Sequence, residues 1–228
     1  MYRKYTYPQI FIKLVVALAA IGLITFIPAG TIYWPEPWLF LGFYTCWAIP
    51  VLVWLKRHNP ELLSKRLNWS KIPPKAWDKA VMISMIPSCF AIFIVAGLDF
   101  RYGWTQVPLS YKILGFVFFF ISLLIIFRVM KENTFLSRVV EIQKENHHKV
   151  ITTGPYKYVR HPMYVGALIF LAAIPLMLGS FYALIPSLVT MAGIVVRTIL
   201  EDKTLHKELP EYKEYAQKTR YRLIPGIW

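Results

Sequence analysis

Acidic side chains are scarce in this 228-residue chain: 12 Asp and Glu stand against 26 Lys and Arg, a formal charge of +14. Charge of either sign is thin, at 17% of residues, below the quarter or so of soluble domains. Cysteine is nearly absent, and Cys46 and Cys89 alone exclude a disulfide scaffold. Both fall in apolar runs and read as inert core thiols. Heptads, low-complexity tracts and internal repeats are missing too. What fills the chain instead is apolar. Hydrophobic residues make up 57%, which excludes disorder, and mean hydropathy is +0.46. A pI near 9.8 suits a nucleic-acid binder, but the long apolar runs do not, so no nucleic-acid partner is expected.

These features describe an all-α, polytopic integral membrane helix bundle. A crossing helix needs about 20 apolar residues to cover about 30 Å of hydrocarbon. Four runs qualify, at about 11–30, 37–55, 80–98 and 112–130. A fifth, 163–199, has no charge before Arg197 and is broken by Pro175, Gly179-Ser180 and Pro186. It reads as a hairpin of two shortened helices, about 16 residues each, turning near Gly179. About six transmembrane segments result. The chain divides into a four-span core over 1–130 and a polar-rich region, with the hairpin, over 131–228.

Charge orients the spans. Basic residues crowd the opening segment, the 56–79 loop, 128–160 and 197–228, whereas 31–36 holds only Glu36 and 99–112 only Asp99, Arg101 and Lys112. Both termini and the large polar loops are therefore expected on the cytoplasmic side, with anionic membrane lipids as partners. The N-terminal run is too long for a cleavable signal peptide, and Tyr33 to Trp38 reads as an interfacial turn with its aromatics at headgroup level.

Three polar stretches could carry chemistry. The first runs from Glu141 to Tyr164, with a Gly154-Pro155 turn and Pro162 suited to a helix start. Arg160 and His161 would then stand beside a helix N-terminus, a receptor for a carboxylate or phosphate or a holder of lipid headgroups. In the second, Arg197 and Glu201 lie four apart on one helix face, either as a local pair or as a functional pair at the end of an apolar run. The third, 209–228, alternates aromatic and basic residues. It is either an interfacial amphipathic helix or a lid, with Tyr212 and Tyr215 available to stack on an adenine. The adjacent His147 and His148 have no Cys or carboxylate at metal-like spacing, so no zinc site is expected. The stretch His58 to Arg66, followed by Trp77-Asp78-Lys79, reads as an ordered cytoplasmic loop or as a capped surface helix after Pro60.

Gly154-Pro-Tyr-Lys-Tyr-Val-Arg-His-Pro-Met-Tyr164, followed by Arg197-x3-Glu201-Asp202 and Tyr212-x2-Tyr215, resembles the isoprenylcysteine carboxyl methyltransferase family, specifically over about 133–228. Within it the prokaryotic membrane branch is the nearest likeness, and phospholipid N-methyltransferases share the pattern. The resemblance implies methyl transfer from S-adenosylmethionine to a lipophilic or prenylated acceptor at the cytoplasmic face. It implies cofactor contacts from Glu141, His148, Lys149, Val150, Ile151, Tyr156, His161, Pro162, Met163 and Tyr164, with Glu141 standing where the family often has Gln. Arg197 and Glu201 match the Arg-x3-Glu placed beside the substrate group, followed here by Asp202 in place of a second Glu. Arg197 could orient an acceptor carboxylate, and Glu201 could take the proton of an amine or thiol. An NADPH-dependent sterol-type reductase, which also carries an Arg-His-x-x-Tyr near its end, is the alternative enzyme. A non-enzymatic membrane protein is the third reading.

Overall fold

The computed structural model describes residues 5–67, 75–133, 136 and 150–228, and these are helical with no strand among them. The helices are α1 (Tyr7–Ala29), α2 (Pro35–His58), α3 (Pro60–Leu67), α4 (Ala76–Tyr102), α5 (Leu109–Glu132), α6 (Pro162–Leu178), α7 (Leu184–Glu208) and α8 (Tyr212–Lys218), with a 3-10 turn over Gly154–Lys157. Five of them, α1, α2, α4, α5 and α7, are long and apolar enough to cross a membrane, and α6 is a shorter apolar helix. Their outward faces carry large apolar side chains such as Val16, Ile27, Leu124 and Leu188. That coat is what a lipid environment permits and water does not.

The bundle closes on itself: α5 packs on α6, α6 on α7, α7 on α4, and α4 on α1. Small residues bring the backbones together, because lipid supplies little hydrophobic drive between helices. A Cβ added to Gly115 of α5 would stand 2.7 Å from the Met177 nitrogen of α6, and one added to Gly97 of α4 would stand 2.6 Å from the Thr25 carbonyl of α1. Phe40, Phe93, Phe119 and Phe170 fill the centre with tilted and edge-on ring contacts.

The hairpin turns where the sequence places it, at Gly179, whose φ of 73° closes α6 in the left-handed region. Its second arm is longer than expected, at 25 residues rather than about 16. At 1.5 Å per residue α6 covers roughly 26 Å and α7 roughly 38 Å. The longer helix continues past Arg197 because its charged positions find buried partners, so nothing forces an end there.

Other details also differ. Cys46 is exposed on the outside of α2 rather than in the core, and Cys89 is half-buried. Within the expected interfacial turn Tyr33 and Trp38 are exposed, but Trp34 is buried and stacks on Phe100 at 4.6 Å between centroids. A helix does follow Pro60, capped by the Asn59 Oδ1 that accepts the Leu62 N–H at 3.0 Å. It is no surface helix, however: Leu62 and Leu63 are fully enclosed against Val51, Leu55 and Met130.

Candidate active site

One end of the bundle gathers the C-terminus of α2, the N-terminus of α4, the C-terminus of α5, the N-terminus of α6 and the C-terminal half of α7. The 3-10 turn and the 209–228 segment pack over it. The turn depends on Gly154, whose φ is 57° and whose added Cβ would stand 2.9 Å from the Glu132 carboxylate of α5. Thr153 donates its hydroxyl to that same carboxylate. Tyr156 is thereby turned inward, where its phenol accepts from Asn133 Nδ2 at 2.7 Å and its carbonyl accepts from the Tyr215 hydroxyl at 2.7 Å.

Asp202 is the hub. It is 1% exposed, and its two oxygens accept from Arg160 Nε at 2.9 Å and Nη2 at 3.1 Å, Arg222 Nε at 2.9 Å and the Tyr212 hydroxyl at 2.8 Å. His161 Nε2 stands 3.2 Å away. Arg160 also donates to the Thr219 and Arg220 carbonyls, while the Arg160 and His161 N–H groups donate to the Tyr221 and Arg222 carbonyls at 2.9 and 3.0 Å. The segment before α6 is thus clipped to the segment after α8 on both backbone and side-chain atoms. A buried carboxylate is tolerated when its lone pairs are filled by charged donors. Burial opposes the Arg160 charge, yet its bonds to Asp202 hold the guanidinium above its ordinary range.

Two expectations give way here. Arg160 and the adjoining N–H donors are spent inside this network, so they are not an open receptor for an anion or lipid headgroup. Tyr212 and Tyr215 are 3% and 4% exposed and meet edge to face at 5.6 Å, enclosed with Leu209, Val129 and Tyr156. They close the wall of the site and are not a stacking platform. Burial raises the Tyr156, Tyr212 and Tyr215 phenols, which therefore remain neutral.

A second chain of contacts leads from this hub toward α4. His161 caps α6 and its ring lies along that of Tyr164, at 5.9 Å and 21°. His161 Nδ1 is 4.0 Å from Glu201 Oε1, so the imidazole stands between two carboxylates. The Tyr164 hydroxyl donates to Glu201, and the Arg197 guanidinium lies 5.7 Å from the Tyr164 ring centre. Arg197 then makes a bidentate pair with Asp78 of α4, at 2.8 and 3.3 Å.

The structure therefore brings His161, Tyr164, Arg197 and Glu201 together at the N-terminus of α6. Pro162 is its first residue, and Met163 packs with Val150, Ile151 and Tyr156 on the adjoining cluster. Glu141, His148 and Lys149, like His147, lie outside the described residues. The sequence paired Arg197 with Glu201 by helical spacing and missed Asp78. The available signal was an acid in the first turn of an otherwise apolar span, where a carboxylate is costly without a partner.

Comparison with known proteins places the same segment. Residues 110–211 match the phospholipid methyltransferase family model. Protein-S-isoprenylcysteine O-methyltransferase B of Arabidopsis thaliana is 26% identical over 146 residues, 63% of this chain and 71% of that protein. Over this part the chain is similar to isoprenylcysteine methyltransferases. Protein-S-isoprenylcysteine O-methyltransferase of Schizosaccharomyces pombe is 33% identical over 84 residues, 36% of each chain. The cobalt-zinc-cadmium resistance protein CzcN of Cupriavidus metallidurans is 33% identical over 87 residues, 34% of this chain and 37% of that one. The last two matches thus span little more than a third of the proteins concerned. The matched 110–211 segment holds nearly all of α5, α6, α7 and Asp202 with its partners Arg160 and His161, but not Tyr212, Arg222 or Asp78.

Proposed function

We propose that the chain is an S-adenosylmethionine-dependent methyltransferase acting on a lipophilic, prenyl-bearing or lipid-like acceptor at the cytoplasmic face of a membrane. The observation that carries the reading is the His161, Tyr164, Arg197 and Glu201 cluster at the N-terminus of α6, within the segment shared with known methyltransferases. Its electrostatics fit the cofactor. Among the described residues Asp78 and Arg197 neutralise each other as a bidentate pair, which leaves the Glu201 carboxylate as the net charge beside the site, an environment suited to a cationic sulfonium. Bound S-adenosylmethionine supplies an electrophilic methyl group for in-line displacement, a reaction that disperses charge and so depends on positioning.

The residues divide the work. His161, Pro162, Met163 and Tyr164, with Val150, Ile151 and Tyr156 behind them, line the side assigned to the cofactor. Arg197 and Glu201 face the acceptor. Arg197 orients an acidic acceptor group, and Glu201 takes the proton when the acceptor is an amine or thiol. The Tyr164 hydroxyl fixes the Glu201 carboxylate and ties the two sides together. The excess of basic residues at this end of the bundle supports its cytoplasmic placement.

The test is transfer of radiolabelled methyl from S-adenosylmethionine, by protein in detergent or liposomes, to a farnesylated cysteine acid, phosphatidylethanolamine and an alkyl thiol. Transfer to one of these, lowered about 100-fold in Glu201→Gln, is expected from loss of a proton-transfer or positioning group. Folded protein that transfers to none, with NADPH oxidised in the presence of a sterol, contradicts the reading.

A further inference from the structure

Asp78 belongs to α4, 119 residues before Arg197 and outside the segment matched by the family model. An acid in the first turn of a helix ordinarily faces the helix dipole and water. Asp78 is instead fully buried and gives its oxygens to Arg197 Nε and Nη2. That side-on geometry fixes both the position and the plane of a guanidinium, which a single contact cannot do. On its other side Arg197 meets the Tyr164 ring, and Tyr164 donates to Glu201. Asp78, Arg197, Tyr164 and Glu201 thus form one chain of contacts through three helices.

We propose that Asp78 is a positioning residue: it sets the plane of Arg197 against the acceptor, so that the active centre is completed by a span outside the segment the family model matches. This rests on the function proposed above and adds a residue to it. A positioning role predicts a loss confined to the acceptor side. An arginine held in the wrong plane misdirects the reacting group, and misplacement by about 1 Å can cost on the order of 100-fold.

The experiment compares methyl transfer and S-adenosylhomocysteine affinity in the full chain for wild type, Asp78→Asn, Arg197→Lys and the double variant. Asp78→Asn is expected to lower kcat over the acceptor KM by at least about ten-fold. Cofactor-product affinity stays within about two-fold, well inside the tenfold that 1.4 kcal/mol represents. In the Arg197→Lys background, where the bidentate pair is already gone, Asp78→Asn adds little further loss, the signature of coupled residues. An equal loss in both backgrounds, or a parallel loss of product affinity, marks a structural role and overturns the proposal. If Asp78→Asn fails to fold, Asp78→Glu decides. It keeps the charge but displaces the guanidinium by a methylene, so a lowered kcat with unchanged product affinity supports the proposal and a wild-type kcat overturns it. Active wild type with an indifferent Asp78→Asn sinks this proposal alone. Wild type that neither binds the product nor transfers methyl sinks the function proposed above and this inference with it.

Discussion

The two ends of the bundle are each organised on a buried aspartate, and they use it differently. At the end that carries the hairpin turn, Asp99 is 1% exposed and accepts from the Thr105 N–H at 2.7 Å, the Thr105 hydroxyl at 2.6 Å and the Ser180 hydroxyl at 2.5 Å. Ser180 in turn accepts the Ala183 N–H, so α4 is pinned to the hairpin through neutral donors. At the other end Asp202, equally buried, is met by Arg160, Arg222, Tyr212 and His161. Neutral donors close a turn and ask nothing of the rest of the molecule. Charged donors from the segments on either side of α6 to α8 must all arrive together, so Asp202 binds the C-terminal segment to the bundle and builds the wall of a site. Burial and residue type are the same, and only the partners distinguish a rivet across one turn from a hub that joins several segments.

The contrast can be broken at its stronger side first. Asp202→Ala leaves Arg160 buried without its carboxylate, a change that costs about 3–5 kcal/mol. Thermal unfolding in detergent should fall steeply, with loss of methyl transfer. Asp99→Ala should cost less, about 1–3 kcal/mol for hydroxyl and amide donors left unpaired. Its methyl transfer should remain within about two-fold of wild type, since a surviving cluster keeps its tenfold steps of about 1.4 kcal/mol intact. A large loss of transfer in Asp99→Ala would erase the distinction between the ends. Tyr164→Phe sharpens it further: thermal unfolding should change little, while turnover falls about ten-fold through release of Glu201.

The same contrast explains what could be read from the chain beforehand. Each span is legible because desolvation is a local sum over consecutive side chains, and Gly179 is legible because a left-handed helix end favours glycine. Partner choice is not local. Helical spacing paired Arg197 with Glu201, but Arg197 takes Asp78 from another helix, and the Tyr164 hydroxyl takes Glu201. Arg160 and Tyr212 looked available for ligands because nothing in the sequence shows that Asp202 consumes both. The length of α7 was underestimated for that reason: charges end an apolar run in the sequence, whereas paired charges do not end a helix. The resemblance singles out Glu141, residues 148–151, Tyr156, residues 161–164, Arg197 and Glu201, and the described ones lie together at one end of the bundle.

The most direct measurement is calorimetric titration of the detergent-purified protein with S-adenosylhomocysteine, with NADPH as a parallel ligand, for wild type, Asp99→Ala and His161→Ala. Micromolar binding by wild type and Asp99→Ala, a free energy near about −8 kcal/mol, and its loss in folded His161→Ala is the predicted result. Well-folded wild type that ignores S-adenosylhomocysteine and binds NADPH would contradict the account, as would His161→Ala binding like wild type.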